Sequence, residues 1–156
     1  MAEGKYDKYI TTEPLRDSIY PPHKKMLLYT LEDNVNFSIR FTHIIRPYEM
    51  ETPHAHDFDE VFCWVPCSED LSEFDAELEL YLGEEQEKHV INKTTIAYIP
   101  AGLVHAPIVY KRIGKPIFFV NCVLASKYTQ VRTDEKGEKI VTDMPPADFL
   151  ERAKKM

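Results

Sequence analysis

The sequence has no long hydrophobic run and no cluster of basic residues. No stretch approaches the roughly eighteen apolar residues that a membrane span needs, and the first residues lack the apolar segment of a signal peptide. We therefore expect a cytoplasmic protein with no membrane partner. The net charge is -7, and nucleic-acid binding depends on clustered Lys and Arg. We expect a small-molecule partner and no nucleic acid.

Cysteine is also scarce. The three cysteines, Cys63, Cys67 and Cys122, are odd in number and do not have the spacing of a zinc ribbon. Neither a disulfide framework nor a thiolate metal cage is indicated, and we expect buried free thiols.

What is present points to one globular β domain. A chain of 156 residues is the size of an ordinary domain, and 44% of it is hydrophobic, with nine Tyr and eight Phe. Short runs of strand-forming residues follow one another, separated by turn residues. The predicted strands are Met26–Leu31, Phe37–Ile45, Glu60–Val65, Glu77–Leu82, Thr94–Ile99, Pro107–Val109 and Ile117–Leu124.

This pattern predicts an all-β jelly roll or barrel with an N-terminal arm and a short C-terminal helix. The arm takes residues 1–24 and contains several tyrosines suited to packing on a partner subunit. The barrel takes residues 25–130. A hairpin and a helix over Pro145 to Lys155, which Asp143 could cap, take residues 131–156.

The residues that carry chemistry begin at Pro53. His54, His56 and Glu60 all stand at even positions, so on an extended strand they would share one face. Neighbours on one face lie roughly 7 Å apart, which is within range for both imidazoles to reach a common ion. Downstream, Pro100 and Gly102 indicate a turn that ends one strand, and His105 begins the next. His105 could then be a fourth ligand.

Three imidazoles and one carboxylate suit a borderline divalent metal with exchangeable positions. Iron, manganese, nickel and zinc are all compatible with this set. The same four residues could also form a vestigial site that holds no ion.

The pattern His-x-His-x-x-x-Glu, followed by Pro-x-Gly-x-x-His, resembles the two signature motifs of the cupin superfamily. The resemblance covers roughly Arg46 to Leu124. It implies a double-stranded β-helix, the cupin jelly roll, with one metal held by the positions that are His54, His56, Glu60 and His105 here. The motifs specify fold and metal and say almost nothing about the reaction.

The chain departs from the family pattern at three positions. Tyr48 and Cys67 stand where glycines are usual, which indicates altered turns. Val109 stands where an asparagine often follows the last histidine, which predicts a more apolar pocket. Three aromatic residues stand at even positions, as the first three ligands do, and are predicted to line that pocket: Phe58, Phe62 and Trp64. Packing in the core would also explain their positions.

Tyr98 lies close to the Pro-Gly turn and could point into the barrel. A phenol beside a cation could act as an acid or a base. A half-buried strand tyrosine is the competing interpretation.

The resulting hypothesis is a metal-dependent enzyme acting on a small oxygenated substrate, such as a carboxylate. It would work by dioxygen activation or by enolate-type isomerisation or elimination. The alternative is a non-catalytic cupin module that binds a metal and a metabolite as a sensor or store. Because cupins commonly dimerise, we also predict a homodimer.

Overall fold

The computed structural model describes residues 4–17, 25–29, 37–125 and 129–143. They include a 3₁₀ helix at Asp7–Tyr9. The strands are β1 Leu15–Asp17, β2 Lys25–Tyr29, β3 Ser38–Ile44, β4 Tyr48–Met50, β5 Glu60–Pro66, β6 Ala76–Leu82, β7 Glu87–Ile91, β8 Thr95–Ile99, β9 His105–Ile113, β10 Ile117–Val123, β11 Thr129–Thr133 and β12 Lys139–Asp143. None of the described helices is long and apolar enough to span a bilayer.

The strands form two larger antiparallel sheets and one hairpin. One sheet has the order β1-β2-β3-β10-β5-β8, the other has the order β4-β9-β6-β7, and β11 pairs with β12. Strands distant in sequence are neighbours in both sheets, as in a jelly roll. The all-β jelly-roll prediction is therefore confirmed, while the predicted C-terminal helix lies outside the described residues.

Side-chain alternation explains how the two sheets enclose a core. In β5 and β10 every second residue is buried, so each strand turns one face inward. Residues from both sheets meet in one hydrophobic cluster. Its members are Ile44, Met50, Phe62, Trp64, Ala76, Leu78, Leu80, Ile91, Ile99, Ile108, Tyr110, Ile117 and Phe119.

Most predicted strands are present within a residue or two of the expected bounds. The strand predicted at Pro107–Val109 is longer, because β9 runs from His105 to Ile113. Strands β1, β4 and β7 were not predicted; each is only three or five residues long. All three cysteines are free, as predicted, but none is fully buried, because Cys63 and Cys122 are half-buried and Cys67 is exposed.

Candidate metal centre

The first histidine motif does not lie on a regular strand, which corrects the sequence prediction. His54 and Ala55 make only isolated bridges, to His105 and Val131 respectively. His54 N–H donates to the carbonyl of His105 at 3.1 Å, and His105 N–H donates back to the carbonyl of His54 at 2.9 Å. The two motifs are therefore joined directly through the backbones of two predicted ligands.

A tight turn brings the second motif into place. The N–H of Leu103 donates to the carbonyl of Pro100 at 3.1 Å, and Gly102 has a φ of 84°. A positive φ at the third residue is the requirement of a type II turn, and glycine meets it without steric cost. Gly102 N–H then donates to the carbonyl of His56 at 2.7 Å, a third link between the motifs.

Three of the four predicted ligands converge, and the fourth, Glu60, lies beside two of them. The ligating atoms offered by His54, His56 and His105 all lie within 4.8 Å of one another. Oε2 of Glu60 lies 3.1 Å from Nε2 of His105 and 3.7 Å from Nε2 of His56. None of the four side chains is more than 8% exposed. Three buried histidines in this arrangement could hold a metal ion.

The opposite nitrogen of each imidazole contacts a backbone carbonyl. Nδ1 of His54 lies 2.6 Å from the carbonyl oxygen of Thr52. Nδ1 of His56 lies 2.5 Å from that of Thr129, and Nδ1 of His105 lies 2.9 Å from that of Leu103. A carbonyl oxygen can only accept, so the proton of each neutral ring belongs on Nδ1. Each Nε2 therefore carries no proton and keeps a free lone pair, which is the form in which an imidazole nitrogen binds a metal.

Burial keeps the first two rings neutral. Burial and, to a smaller extent, the nearby His105 lower the pKa of His54 to about 3. Burial also lowers the pKa of His56, although Glu60 opposes that shift. At neutral pH both rings are therefore uncharged, as metal binding requires.

The pKa of Glu60 depends on burial and on its neighbours. Burial raises the pKa of its carboxyl group, whereas Asn121 and, when they are protonated, His105 and His56 lower it. Within the described part of the chain, Oε2 makes no hydrogen bond. A buried carboxylate oxygen that faces imidazole lone pairs is costly unless a cation lies between them. The donor set therefore fits a divalent ion.

Asn121 is a contact of the site that sequence analysis missed. Its Nδ2 donates to Oε1 of Glu60 at 3.1 Å, which orients the carboxylate. The available signal was its position on β10, where it shares the inward face with Ile117, Phe119 and Val123. A lone amide on an otherwise apolar face indicates a buried polar partner.

Replacing Asn121 by leucine is expected to weaken metal binding by roughly 10- to 100-fold, the usual cost of losing a group that orients a ligand. Competition with a chromophoric chelator measures the change. The control is Thr42→Val, a buried substitution on the adjacent strand, where the Thr42 hydroxyl has no hydrogen-bond partner among the described residues. Equal affinities for the two variants would contradict the role of Asn121.

A small cavity that opens to solvent lies beside His54, Glu60 and His105. Its walls combine apolar and polar side chains. The lining residues are Arg40, Met50, Glu51, His54, Glu60, Phe62, His105, Ala106, Ile108, Phe119 and Asn121.

The predicted aromatic wall is only partly found in the cavity. Phe62 lines it, whereas Trp64 is fully buried in the core, where it stacks on Phe119 at a ring-centroid distance of 5.3 Å. Phe58 is not among the lining residues and instead stacks on the ring of His56 at 4.6 Å. Phe58 thus supports a ligand rather than lining the pocket.

Val109 does not line the pocket, which is a second correction. A β-bulge changes the alternation of β9 after His105. Leu82 pairs with His105, whereas Leu80 pairs with Ile108. A step of three residues on β9 therefore matches a step of two on β6. Ala106, with a φ of 74°, lies within this bulge. Ile108 therefore points inward and Val109 points outward.

Tyr98 lies outside the cavity, so the prediction that it points into the barrel is wrong. Its side chain is 59% exposed, and its hydroxyl donates to Oδ2 of Asp59 at 2.7 Å. That hydrogen bond raises the pKa of Tyr98 instead of lowering it. The other oxygen of Asp59 accepts a hydrogen bond from the N–H of Ala101 at 2.9 Å. Tyr98 and Asp59 therefore stabilise the turn of the second motif from the outer side of the sheet.

Tyr98→Phe is therefore expected to leave metal affinity within about twofold of wild type, because the hydroxyl touches no ligand. The melting temperature should fall only slightly, since hydrogen bonds at an exposed site contribute little. Chelator competition and thermal melts check both expectations. A large loss of metal binding would show that the Asp59 contact sets the position of His105.

Comparison with known proteins adds information on the fold alone. No protein-family model and no curated protein matches the chain. Among solved structures it is similar to vicilin from hazelnut, Corylus avellana, at 12% identity and a TM-score of 0.50, over 86% of this chain and 36% of that one. It is also similar to KdgF from Halomonas sp. at 14% identity and a TM-score of 0.46, over 70% of this chain and 84% of that one.

A third similar structure is that of a cupin superfamily protein from Desulfitobacterium hafniense, at 12% identity and a TM-score of 0.45, over 64% of this chain and 77% of that one. The likeness to vicilin agrees with the two-sheet β fold described above. Fold does not imply function.

Proposed function

We propose that this chain is a metal-dependent enzyme that acts on a small oxygenated organic acid. The observation that carries the proposal is the inward convergence of three Nε2 lone pairs and one buried carboxylate oxygen. Because each Nδ1 is committed to a carbonyl, these rings are oriented in advance for a metal rather than for each other.

His54, His56, Glu60 and His105 would hold the ion, which is iron, manganese, nickel or zinc. A bound ion of this kind supplies Lewis-acid polarisation of a substrate oxygen and, in the case of iron, access to dioxygen chemistry. Three neutral imidazoles and one carboxylate offset only one of its two charges, so the site keeps a positive potential that attracts an anionic substrate.

The cavity walls supply the remaining functions of a small active site. Phe62, Phe119 and Ile108 give an apolar surface that excludes water from the substrate. Asn121 fixes the rotamer of Glu60 and keeps its second oxygen directed at the histidines. Phe58 fixes the plane of His56 by stacking.

Two reaction classes are compatible with this site, and the redox capacity of the metal separates them. Iron favours dioxygen activation, whereas manganese, nickel or zinc favours enolate-type isomerisation or elimination. The first measurement is elemental analysis of protein purified without added metal. The second is oxygen uptake by Fe(II)-loaded protein on a panel of small organic acids, beside His54→Ala and His105→Ala. Turnover that is lost in both variants supports the proposal.

A second candidate function is a non-catalytic module that senses or stores a metabolite. The position of Tyr98 favours it, because the one phenol proposed as an acid or base lies outside the cavity. In that case ligand binding would survive removal of the metal, and no turnover would be seen with any metal. Binding that disappears with the metal and turnover that returns with it favour the enzyme.

We also propose a homodimer in which the N-terminal arm packs on a second copy. Tyr6, Tyr9 and Ile10 are 61%, 72% and 65% exposed, and apolar side chains left so open are typical of an interface. Light scattering should give about twice the 18.2 kDa mass of one chain. The double variant Tyr6→Ser, Tyr9→Ser should shift the mass towards one chain, and a monomeric wild type would contradict the proposal.

A further inference from the structure

The C-terminal hairpin of β11 and β12 binds the first histidine motif along one edge of β11. The N–H of Val131 donates to the carbonyl of Ala55 at 2.8 Å, and the carbonyl oxygen of Thr129 lies 2.5 Å from Nδ1 of His56. In an antiparallel strand every second residue directs its N–H and its C=O to the same edge. Thr129 and Val131 therefore present their backbone groups to the motif, on the edge of β11 that faces away from β12.

Side chains of β11 add to this contact. The hydroxyl of Thr129 donates to Oδ1 of Asp57, the residue after the ligand His56. The next side chain of the strand, that of Gln130, is only 5% exposed. The strand is thus packed on the rest of the protein and does not project into solvent.

A distant acceptor distinguishes His56 from the other two imidazoles. The carbonyl beside Nδ1 of His54 belongs to Thr52, two residues earlier in the chain. The carbonyl beside Nδ1 of His105 belongs to Leu103, which is also two residues earlier. For His56 the acceptor lies 73 residues later, in a hairpin that follows the stretch resembling the cupin motifs. The local chain therefore orients two rings, and a separate element orients the third.

We propose that the C-terminal hairpin is part of the metal centre, with Thr129 as the positioning residue of His56. The inference rests on the proposed function and concerns the regulation of that same site. The group that accepts from Nδ1 selects the tautomer that leaves Nε2 free for a metal, and it fixes the direction of the ring. Docking of the hairpin and binding of the metal therefore favour each other, and this coupling acts equally in both directions.

Two proline variants separate docking of the hairpin from its internal pairing. Val131 lies opposite Val141 in the register of the hairpin. Because the N–H of Val131 is directed at Ala55, these two valines form a pair that shares no backbone hydrogen bond. Val131→Pro removes the N–H that binds the motif. Val141→Pro is the matched control, because it removes an N–H on the opposite edge of the same hairpin.

The first measurement is the tautomer of each histidine in metal-free protein, read by NMR of ¹⁵N-labelled imidazoles at neutral pH. In the wild type His54, His56 and His105 should all carry their proton on Nδ1. In Val131→Pro, His56 should show a substantial share of the tautomer protonated on Nε2, while His54 and His105 should not change. Val141→Pro should give the wild-type pattern. A general loss of stability would not select one ring of the three.

The second measurement is zinc affinity by competition with a chromophoric chelator. Val131→Pro should weaken zinc binding by roughly 10- to 100-fold, the usual cost of losing a group that orients a ligand, and Val141→Pro should not. A milder variant, Thr129→Val, removes the hydroxyl bound to Asp57 and should weaken zinc binding by roughly two- to tenfold, the effect of one ordinary hydrogen bond. Its control is Thr133→Val, at an exposed position further along β11.

The third measurement tests the coupling in the reverse direction. Saturating zinc should slow hydrogen exchange at the amide of Val131 in the wild type by at least about tenfold, because exchange there requires the hairpin to leave the motif. The amide of Gln130, which is directed at β12, provides the comparison within the same strand. It should be slowed less, since it can stay bonded to β12 when the hairpin undocks.

The outcomes distinguish the two proposals. If the wild type binds no zinc, the proposed function is wrong, and the tautomer of His56 in the metal-free variants still decides whether the hairpin positions this ring. If zinc binds but Val131→Pro keeps both the wild-type tautomer and the wild-type affinity, the role of the hairpin is wrong and the metal site stands. If Val131→Pro does not fold, Thr129→Val decides, and a zinc affinity equal to that of Thr133→Val would overturn the proposal.

Discussion

Replacing His105 by alanine is expected to abolish stoichiometric metal binding. Its Nε2 lies 3.1 Å from the Glu60 carboxylate, closer than that of His56, and its backbone joins the two motifs. Loss of this side chain removes one ligand and leaves Glu60 without its closest imidazole. Elemental analysis after loading with excess zinc and desalting should give about one zinc ion per wild-type chain and close to none per variant chain.

The loss of metal binding in His105→Ala should also be visible in the melting temperature. A metal present at a hundred times its dissociation constant stabilises a folded protein by about 2.7 kcal/mol. In a domain of this size that corresponds to a rise in melting temperature of roughly 5 to 10 °C. The wild type should show the rise on addition of zinc, and His105→Ala should not.

His89→Ala is the matched control, because His89 is exposed on β7 and its contact is with Glu87 at 3.0 Å, away from the cavity. It should bind one zinc ion with unchanged affinity. If His105→Ala also retained a full zinc ion after desalting, the metal site would have to lie elsewhere.

The ligands could be identified from sequence because the motif spacing is local, but the supporting contacts could not. The carbonyl that holds His56 belongs to Thr129, and nothing near His56 in the chain predicts that contact. Likewise, the prediction of a strand through His54 followed from even spacing alone. The structure instead forms single bridges there, because the partners of His54 and Ala55 come from β9 and β11.

Strict alternation also misplaced Val109 on β9, and it gives no reliable orientation for β3. The bulge at Ala106 reverses the inward face of β9, which moves Val109 outward. On β3 the apolar residues Ile39 and Phe41 alternate with polar ones, a pattern that by itself favours the opposite orientation. The outer face of this sheet is itself apolar, since Phe41 packs edge-on against Phe118 at 6.4 Å. Hydrophobicity therefore could not show that Arg40 points inward.

Trp64→Ala is expected to destabilise the fold by about 3 to 5 kcal/mol, the usual cost of removing a large aromatic side chain from a core. Trp64 is fully buried and stacks on Phe119, and its Nε1 donates to the hydroxyl of Tyr110 at 3.2 Å. The truncation therefore leaves both a void and a buried phenol that has lost this donor. Urea unfolding followed by circular dichroism measures the change, because Trp64 is the only tryptophan available for fluorescence.

Two further variants separate the contributions to that loss. Trp64→Phe keeps an aromatic ring but removes the donor, so its cost should be clearly smaller than that of the alanine variant. Phe118→Ala truncates a half-buried ring on the outer face of the neighbouring strand β10 and should also cost less, because the site is open to solvent. An equal loss in the free energy of unfolding for Phe118→Ala and Trp64→Ala would contradict this prediction. It would mean that the outer face of the sheet stabilises the fold as much as the core between the two sheets.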